Sequence, residues 1–180
     1  TQGKIGCSRY EYVEGSLNHR VRLRYYPLVE GVRQNGKIIY MATPLINKPE
    51  LFDLAPGKSV IEAMLKKGYI IYMVDHGDPG WEETELGLDF YGKTIPDFYL
   101  DIIKKRHPKD EIYVMAYCMG GTLILPYLAR RAQERLAAGK PMDIKKIALM
   151  ASPMKFDDES SGHNPIRTLI RRDYDPYLMK

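Results

Sequence analysis

Residues 113–124 read YVMAYCMGGTLI, a single cysteine set between an apolar run and two glycines. A cysteine closing a buried strand can be a packed small hydrophobe, or a nucleophile on a tight strand-to-helix turn. Spacing separates the two. In such a turn strand and helix crowd each other, so the positions two before and two after the nucleophile are small. Here they are Ala116 and Gly120, and Gly121 leaves further room for backbone. Cys118 therefore takes the nucleophile slot. The backbone N–H of Met119, at the helix N-terminus, then points to where an oxyanion would form, and the helix dipole favours a thiolate. A second donor is expected from the loop after the earlier central strand, TPLINKP, at Ile46 or Asn47. Taken alone, that loop reads equally as a proline-bounded connection. Cys7 lacks such surroundings and reads as structural.

The elements that must position these residues follow from periodicity. Residues 8–15 and 19–28 alternate, as short and half-buried strands do. Residues 36–45, 69–80, 111–117 and 143–153 carry nearly continuous apolar runs, the mark of strands covered on both faces. Helices are expected over 58–69, the second half of 88–108, and 120–140. The first has a capping-box spacing, Ser59 before Glu62, and a stop at Gly68. The second puts Phe98, Ile102 and Ile103 on one side, and the third contains Pro126, expected to kink it or loosen its first turns. Residues 46–57 hold two prolines and read as a long loop, 81–88 as acidic loop, and 154–165 as loop. Buried strands alternating with amphipathic helices specify a mostly parallel sheet with helices on both faces. Neither a G-x-G-x-x-G nor a G-x-x-x-x-G-K-[ST] follows an early strand, which sets the nucleotide-binding versions aside.

Composition narrows the function. The 180 residues suit one domain with a real core, with 44% hydrophobic and 28% charged residues and a formal charge of +4. The basic residues are scattered, without an aromatic-interleaved stripe, so no nucleic-acid groove is expected. The basic stretch 166–180 alternates with Asp and reads as a solvated face. No run approaches the roughly 20 apolar residues of a membrane span. Two distant cysteines and no secretory leader point to a reducing cytoplasm. The start at Thr1 and the end at Lys180 read as those of a fragment.

Three stretches together, residues 44–79 (PLINKPELFDLAPGKSVIEAMLKKGYIIYMVDHGDP), YCMGGT and IALMASPMKFDD, resemble the polyhydroxyalkanoate synthases, of the α/β-hydrolase superfamily. The resemblance covers roughly residues 37–160 and rests on a lipase-like G-x-C-x-G-G box, an asparagine-bearing loop and a Ser-Pro-x-x-Phe segment. The short run before the central strands resembles the smaller synthases that work with a second, non-homologous subunit. Two departures stand out: Ala116 replaces the first glycine of the box, and His76 stands where the family has an aromatic after Asp75.

The resemblance implies an α/β-hydrolase fold with residues 1–152 as the core portion and 153–180 as the start of a lid. It implies an acyltransferase that polymerises (3R)-hydroxyacyl-CoA thioesters into polyester through a thioester on Cys118. The expected partners are the CoA substrate, the polyester chain and a second synthase subunit or a second copy, in the cytoplasm or at a granule surface. No cofactor or metal is expected. A cysteine hydrolase of the same fold, a polyester depolymerase or a thioesterase, shares the elbow, and a non-catalytic binding module is the third alternative. In this fold the acid and the histidine follow the nucleophile on later strands. His19 precedes the core strands, His107 closes a helix, His163 follows the last strand too closely, and Asp157 and Asp158 read as solvated loop. His76, at a strand tip, is a candidate for lining the site. The triad acid and histidine are therefore expected outside this chain, with the last strands of the sheet.

Overall fold

A computed structural model describes residues 6–15, 17 and 20–154. Residues 155–180 of the expected lid, with Asp157, Asp158 and His163, lie outside the described residues, as does His19. The sheet comprises β1 (Glu11–Tyr12), β2 (Arg22–Tyr26), β3 (Lys37–Ala42), β4 (Ile70–Asp75), β5 (Glu111–Tyr117) and β6 (Ile144–Met150). Its spatial order is β1-β2-β4-β3-β5-β6. β4, β3, β5 and β6 run parallel, while β1 and β2 are antiparallel additions at one side. Ile39 pairs with Ile71 and with Tyr113, so β3 is the axis on which both neighbours are registered.

Three helices cover the faces: α1 (Val60–Leu65), α2 (Ile95–Arg106) and α3 (Met119–Ala137). The period-2 geometry of strands sends alternate side chains to opposite sides. Ile38, Tyr40, Tyr72, Val74, Ile112 and Val114 meet α2 and α3 through Tyr99, Ile103, Ile124 and Leu128. Ile39, Met41, Ile71 and Met73 meet α1 on the other face, with Phe52, Ile61 and Leu65. The doubly covered, mostly parallel sheet is the expected α/β architecture.

Ser59 caps α1 by accepting the Glu62 amide at 2.9 Å, while the Glu62 carboxylate turns to Gly57 N–H and Lys66. Only one arm of the capping box is therefore present. Ser59 also donates to Asp53, which binds the Ser8 amide at 2.7 Å and accepts from the Cys7 thiol at 3.0 Å. Cys7 is thus a surface residue tying the N-terminal segment to the start of α1.

Four expectations are corrected. Pro49–Phe52 forms a 3₁₀ turn inside the stretch read as loop, and Phe52 is buried against α1. Trp81–Glu83 forms another within the acidic segment. α2 buries Ile95, Tyr99, Leu100 and Ile103, whereas Phe98 is 37% exposed. β6 is not covered on both faces: only Ile144 is buried, and among the described residues the strand pairs with β5 alone. Pro126 sits inside α3, which is assigned as one continuous α-helix from Met119 to Ala137.

Candidate active site

The carboxyl ends of β3, β4 and β5 converge on the turn into α3. Cys118 occupies that turn with φ 50° and ψ −128°, a backbone conformation that non-glycine residues rarely adopt. Such strain persists only where surrounding structure over-determines it. Here the Cys118 N–H donates to the Met150 carbonyl at 2.9 Å, and the Cys118 carbonyl accepts from Gly121 at 3.0 Å.

The small residues flanking Cys118 have concrete neighbours. A β-carbon on Gly120 would strike the carbonyl oxygen of Ala42 and lie 2.9 Å from the backbone carbons of Ala42 and Thr43. One on Gly121 would strike the side chain of Ser152. Ala116 is buried opposite Ala42, its register partner. The N-terminus of α3 thus rests directly on the end of β3, where the loop carrying Ile46 and Asn47 departs. As the first residue of α3, Met119 has no carbonyl four residues back within the helix to accept its N–H. Ile46 is 77% exposed and Asn47 is exposed, both on the bend 45–47.

Thr43 fixes the root of that loop, a role its sequence position did not advertise. Its hydroxyl donates to the Val74 carbonyl at 2.8 Å, and its own carbonyl lies 3.3 Å from His76 Nε2. A carbonyl only accepts, so Nε2 carries the proton and Nδ1 is left as an acceptor; Nδ1 is buried with no partner among the described residues. Burial holds the His76 imidazole below its ordinary range, only partly offset by the Thr43 carbonyl and the Asp75 charge. His76 lines a cavity of about 20 Å³ behind the elbow, together with Thr43, Tyr91 and Gly120. It also lines a cleft of about 900 Å³ bordered by Ile46, Asn47, Arg22, Arg24 and Asp75. The structure thus places His76 beside the elbow and the loop carrying Ile46 and Asn47. His107 is elsewhere: its ring bonds Tyr72 at 2.8 Å and Asp110 at 3.1 Å. No hydrogen bond joins Cys118 to a histidine among the described residues.

The rim of the cleft carries a charged network that the sequence reading passed over. Arg24 is buried and pairs with Asp75 at 2.7 Å and Glu50 at 2.8 Å. Asp75 also accepts from Tyr12 at 2.8 Å and from the Gly77 amide at 3.0 Å. The available signal was the R-L-R alternation of β2, which turns Arg22 and Arg24 to one face opposite the first acid after the buried run of β4.

Burial pushes the Asp75 carboxyl up, but the Gly77 amide, the Tyr12 hydroxyl and Arg24 together hold it below the ordinary carboxylate range. Asp53 follows the same pattern, burial being outweighed by Ser59, Cys7 and Ser8. A folded-state pKa below the unfolded one means stability present above the unfolded value and lost as pH falls. His76 therefore gives a first loss of stability below about pH 6.5, and Asp75 and Asp53 contribute to a second below about pH 4. Urea midpoints measured from pH 8 to pH 3 are expected to show both steps, with the first absent in His76→Gln. A midpoint flat down to pH 4 would count against the buried neutral histidine.

Among the described residues no cluster of His, Cys, Asp and Glu could hold a metal ion, and no helix is long and apolar enough to cross a membrane. The alpha/beta hydrolase fold family model matches residues 52–168. The chain is 33% identical over 140 residues to the poly(3-hydroxyalkanoate) polymerase subunit PhaC of Haloferax mediterranei, covering 78% of this chain and 26% of that protein. It is 30% identical over 119 residues to the PhaC subunit of Haloarcula marismortui, covering 66% of this chain and 23% of that protein. The chain thus spans about a quarter of the length of these relatives. A soluble variant of monoglyceride lipase from Saccharomyces cerevisiae shares the fold with a TM-score of 0.61 at 11% identity, over 97% of this chain and 55% of the lipase.

Proposed function

We propose that this chain, which belongs to the alpha/beta hydrolase fold family, carries the nucleophile of an acyltransferase that builds polyester from (3R)-hydroxyacyl-CoA. The observation that carries the reading is the elbow: Cys118 at positive φ between β5 and α3, with no space for side chains at Gly120 and Gly121. Similarity to poly(3-hydroxyalkanoate) polymerase subunits supports the choice of substrate.

In the first half-reaction the Cys118 sulfur attacks the thioester carbonyl. A new carbon–sulfur bond forms on Cys118, the bond to the CoA sulfur breaks, and CoA leaves as its thiol with the proton that Cys118 gave up. In the second, the hydroxyl of a monomer or of the growing chain attacks the acyl-Cys118 carbonyl. A carbon–oxygen ester bond forms, and the Cys118 sulfur leaves and regains a proton. The Met119 N–H, with that of Ile46 or Asn47, is assigned to hold the oxyanion in both halves. Exchange between thioesters is near neutral, so a thiolate suits both attack and departure. The base and its acid partner are assigned to residues outside those described. No cofactor is needed. A second synthase subunit or a second copy is the proposed partner, in the cytoplasm or at the granule surface.

The test is incubation of the full-length protein with 3-hydroxybutyryl-CoA, following free CoA with a thiol reagent and the intact protein by mass spectrometry. The expected result is CoA release, one hydroxybutyryl group on Cys118, and polymer as product. Free 3-hydroxybutyrate in place of polymer would reassign the chain to the thioesterases or depolymerases. A folded protein that releases no CoA and gains no acyl group would end the reading.

A further inference from the structure

We infer that Arg22 anchors the diphosphate of the incoming CoA thioester, in the cleft that opens beside the Ile46–Asn47 loop; this rests on the thioester reading above. The inference comes from the charges along the cleft. Arg24 is matched by Asp75 and Glu50, and Lys48 by Asp78 at 3.2 Å. Asp75 is further occupied by the Tyr12 hydroxyl and the Gly77 amide. Arg22 is the cation left over: among the described residues no carboxylate lies in ion-pair range of it. Its guanidinium stacks on the Tyr12 ring at 3.6 Å and gives one hydrogen bond to the Tyr12 hydroxyl at 3.0 Å. Its Nε is buried without a partner among the described residues. A planar fork with five donors, oriented by an aromatic ring and lacking an acid, is suited to a phosphate.

Position supports the same ligand. Arg22 pairs with Asp75, and the registers of β3 and β5 carry that row across Thr43 to Tyr117, one residue before Cys118. Arg22 and Cys118 thus stand on one rim of the sheet, three strand spacings apart, which is about 14 Å at the ~4.8 Å separation of paired strands. A long flexible arm between a thioester and a diphosphate, as in CoA, spans such a gap. The cleft that Arg22 lines is also lined by Asn47 and His76.

Equilibrium binding of CoA, dephospho-CoA and pantetheine to the full-length protein, wild type and Arg22→Gln, tests this without requiring turnover. The expected result is a loss of about tenfold to a hundredfold in affinity for CoA in Arg22→Gln, the worth of a charge-assisted phosphate contact. An equal loss is expected for dephospho-CoA, which keeps the diphosphate, and none for pantetheine, which has no phosphate. Arg22→Lys, which keeps the charge, is expected to recover most of the affinity, and a thermal melt verifies that both variants fold. Unchanged CoA affinity in Arg22→Gln, equal losses for CoA and pantetheine, or no CoA binding by the wild type would each overturn the inference. A loss confined to CoA and absent for dephospho-CoA would overturn the diphosphate assignment. Acylation of Cys118 by a phosphate-free 3-hydroxybutyryl thioester of N-acetylcysteamine reports on the acyltransferase reading separately, since Arg22 plays no part in it.

Discussion

Replacing Cys118 by alanine is expected to lower CoA release from 3-hydroxybutyryl-CoA by roughly 10⁴-fold or more, the scale on which enzymes lose rate when a covalent nucleophile is removed. The acyl adduct seen by mass spectrometry is expected to vanish with it. Stability should change little, because alanine meets the same left-handed backbone at φ 50° that cysteine does, and the bonds at the turn are made by backbone. Cys118→Ser is the sharper comparison. It keeps the shape and offers oxygen, a poorer attacking atom at neutral pH than a thiol, so activity should fall steeply while the melting point holds. Turnover within tenfold of wild type in Cys118→Ala would remove the cysteine from the mechanism. The other cysteine gives the control: Cys7 is exposed, and its hydrogen bond to Asp53 pushes its thiol up, so Cys7→Ala should leave turnover intact.

The second large effect is expected at Gly120. A methyl group there meets backbone on three sides, the carbonyl carbon and oxygen of Ala42 and the carbonyl carbon of Thr43, and none of these is a flexible side-chain end. Either α3 lifts from the end of β3 or the loop carrying Ile46 and Asn47 is displaced. Overpacking of this kind costs about 3 kcal/mol, or more where neither side yields. Gly120→Ala is therefore expected to lower the urea midpoint strongly and to misplace both proposed oxyanion donors. Gly87→Ala is the matched control, since a β-carbon there meets nothing within 4 Å. Equal midpoints for the two variants would show that the approach of α3 to β3 is looser than described.

The elbow was legible because its constraint is local. Small residues at 116, 120 and 121 around a cysteine leave few alternatives, and their neighbours Ala42 and Ser152 explain the requirement. The buried strands β3 and β4 were legible because apolar runs with polar ends need cover on both faces. The face of α2 was misread because its stripe was drawn through Phe98 and Ile102, one position away from Tyr99. Tyr99 is 1% exposed with its hydroxyl donating to the Val21 carbonyl at 2.6 Å, so the buried stripe is Ile95, Tyr99 and Ile103 rather than one through Phe98. The π-helical lead-in Phe90–Thr94 adds a turn whose phase no regular period predicts. β6 was taken for a core strand because Ile-Ala-Leu-Met suits either a centre or an edge, and its neighbours are a matter of topology, not of its own residues. The Arg22–Arg24–Asp75 cluster escaped for a related reason: Arg24 and Asp75 are 51 residues apart and meet only because β2 lies against β4.

The strand order β4-β3-β5 sets a timetable for synthesis. Ile38 lies between Ile70 on one side and Ile112 on the other, so β3 leaves the ribosome well before its second neighbour exists. At translation rates of about 5–20 residues per second, the wait from Ile38 to Ile112 lasts on the order of 4–15 s. For that interval a strand whose residues Ile38 to Ala42 are all buried in the folded protein has one open edge. Yield of folded protein should therefore respond to elongation speed and to chaperones that hold nascent apolar strands, and least to changes in β1, which joins the sheet at its rim.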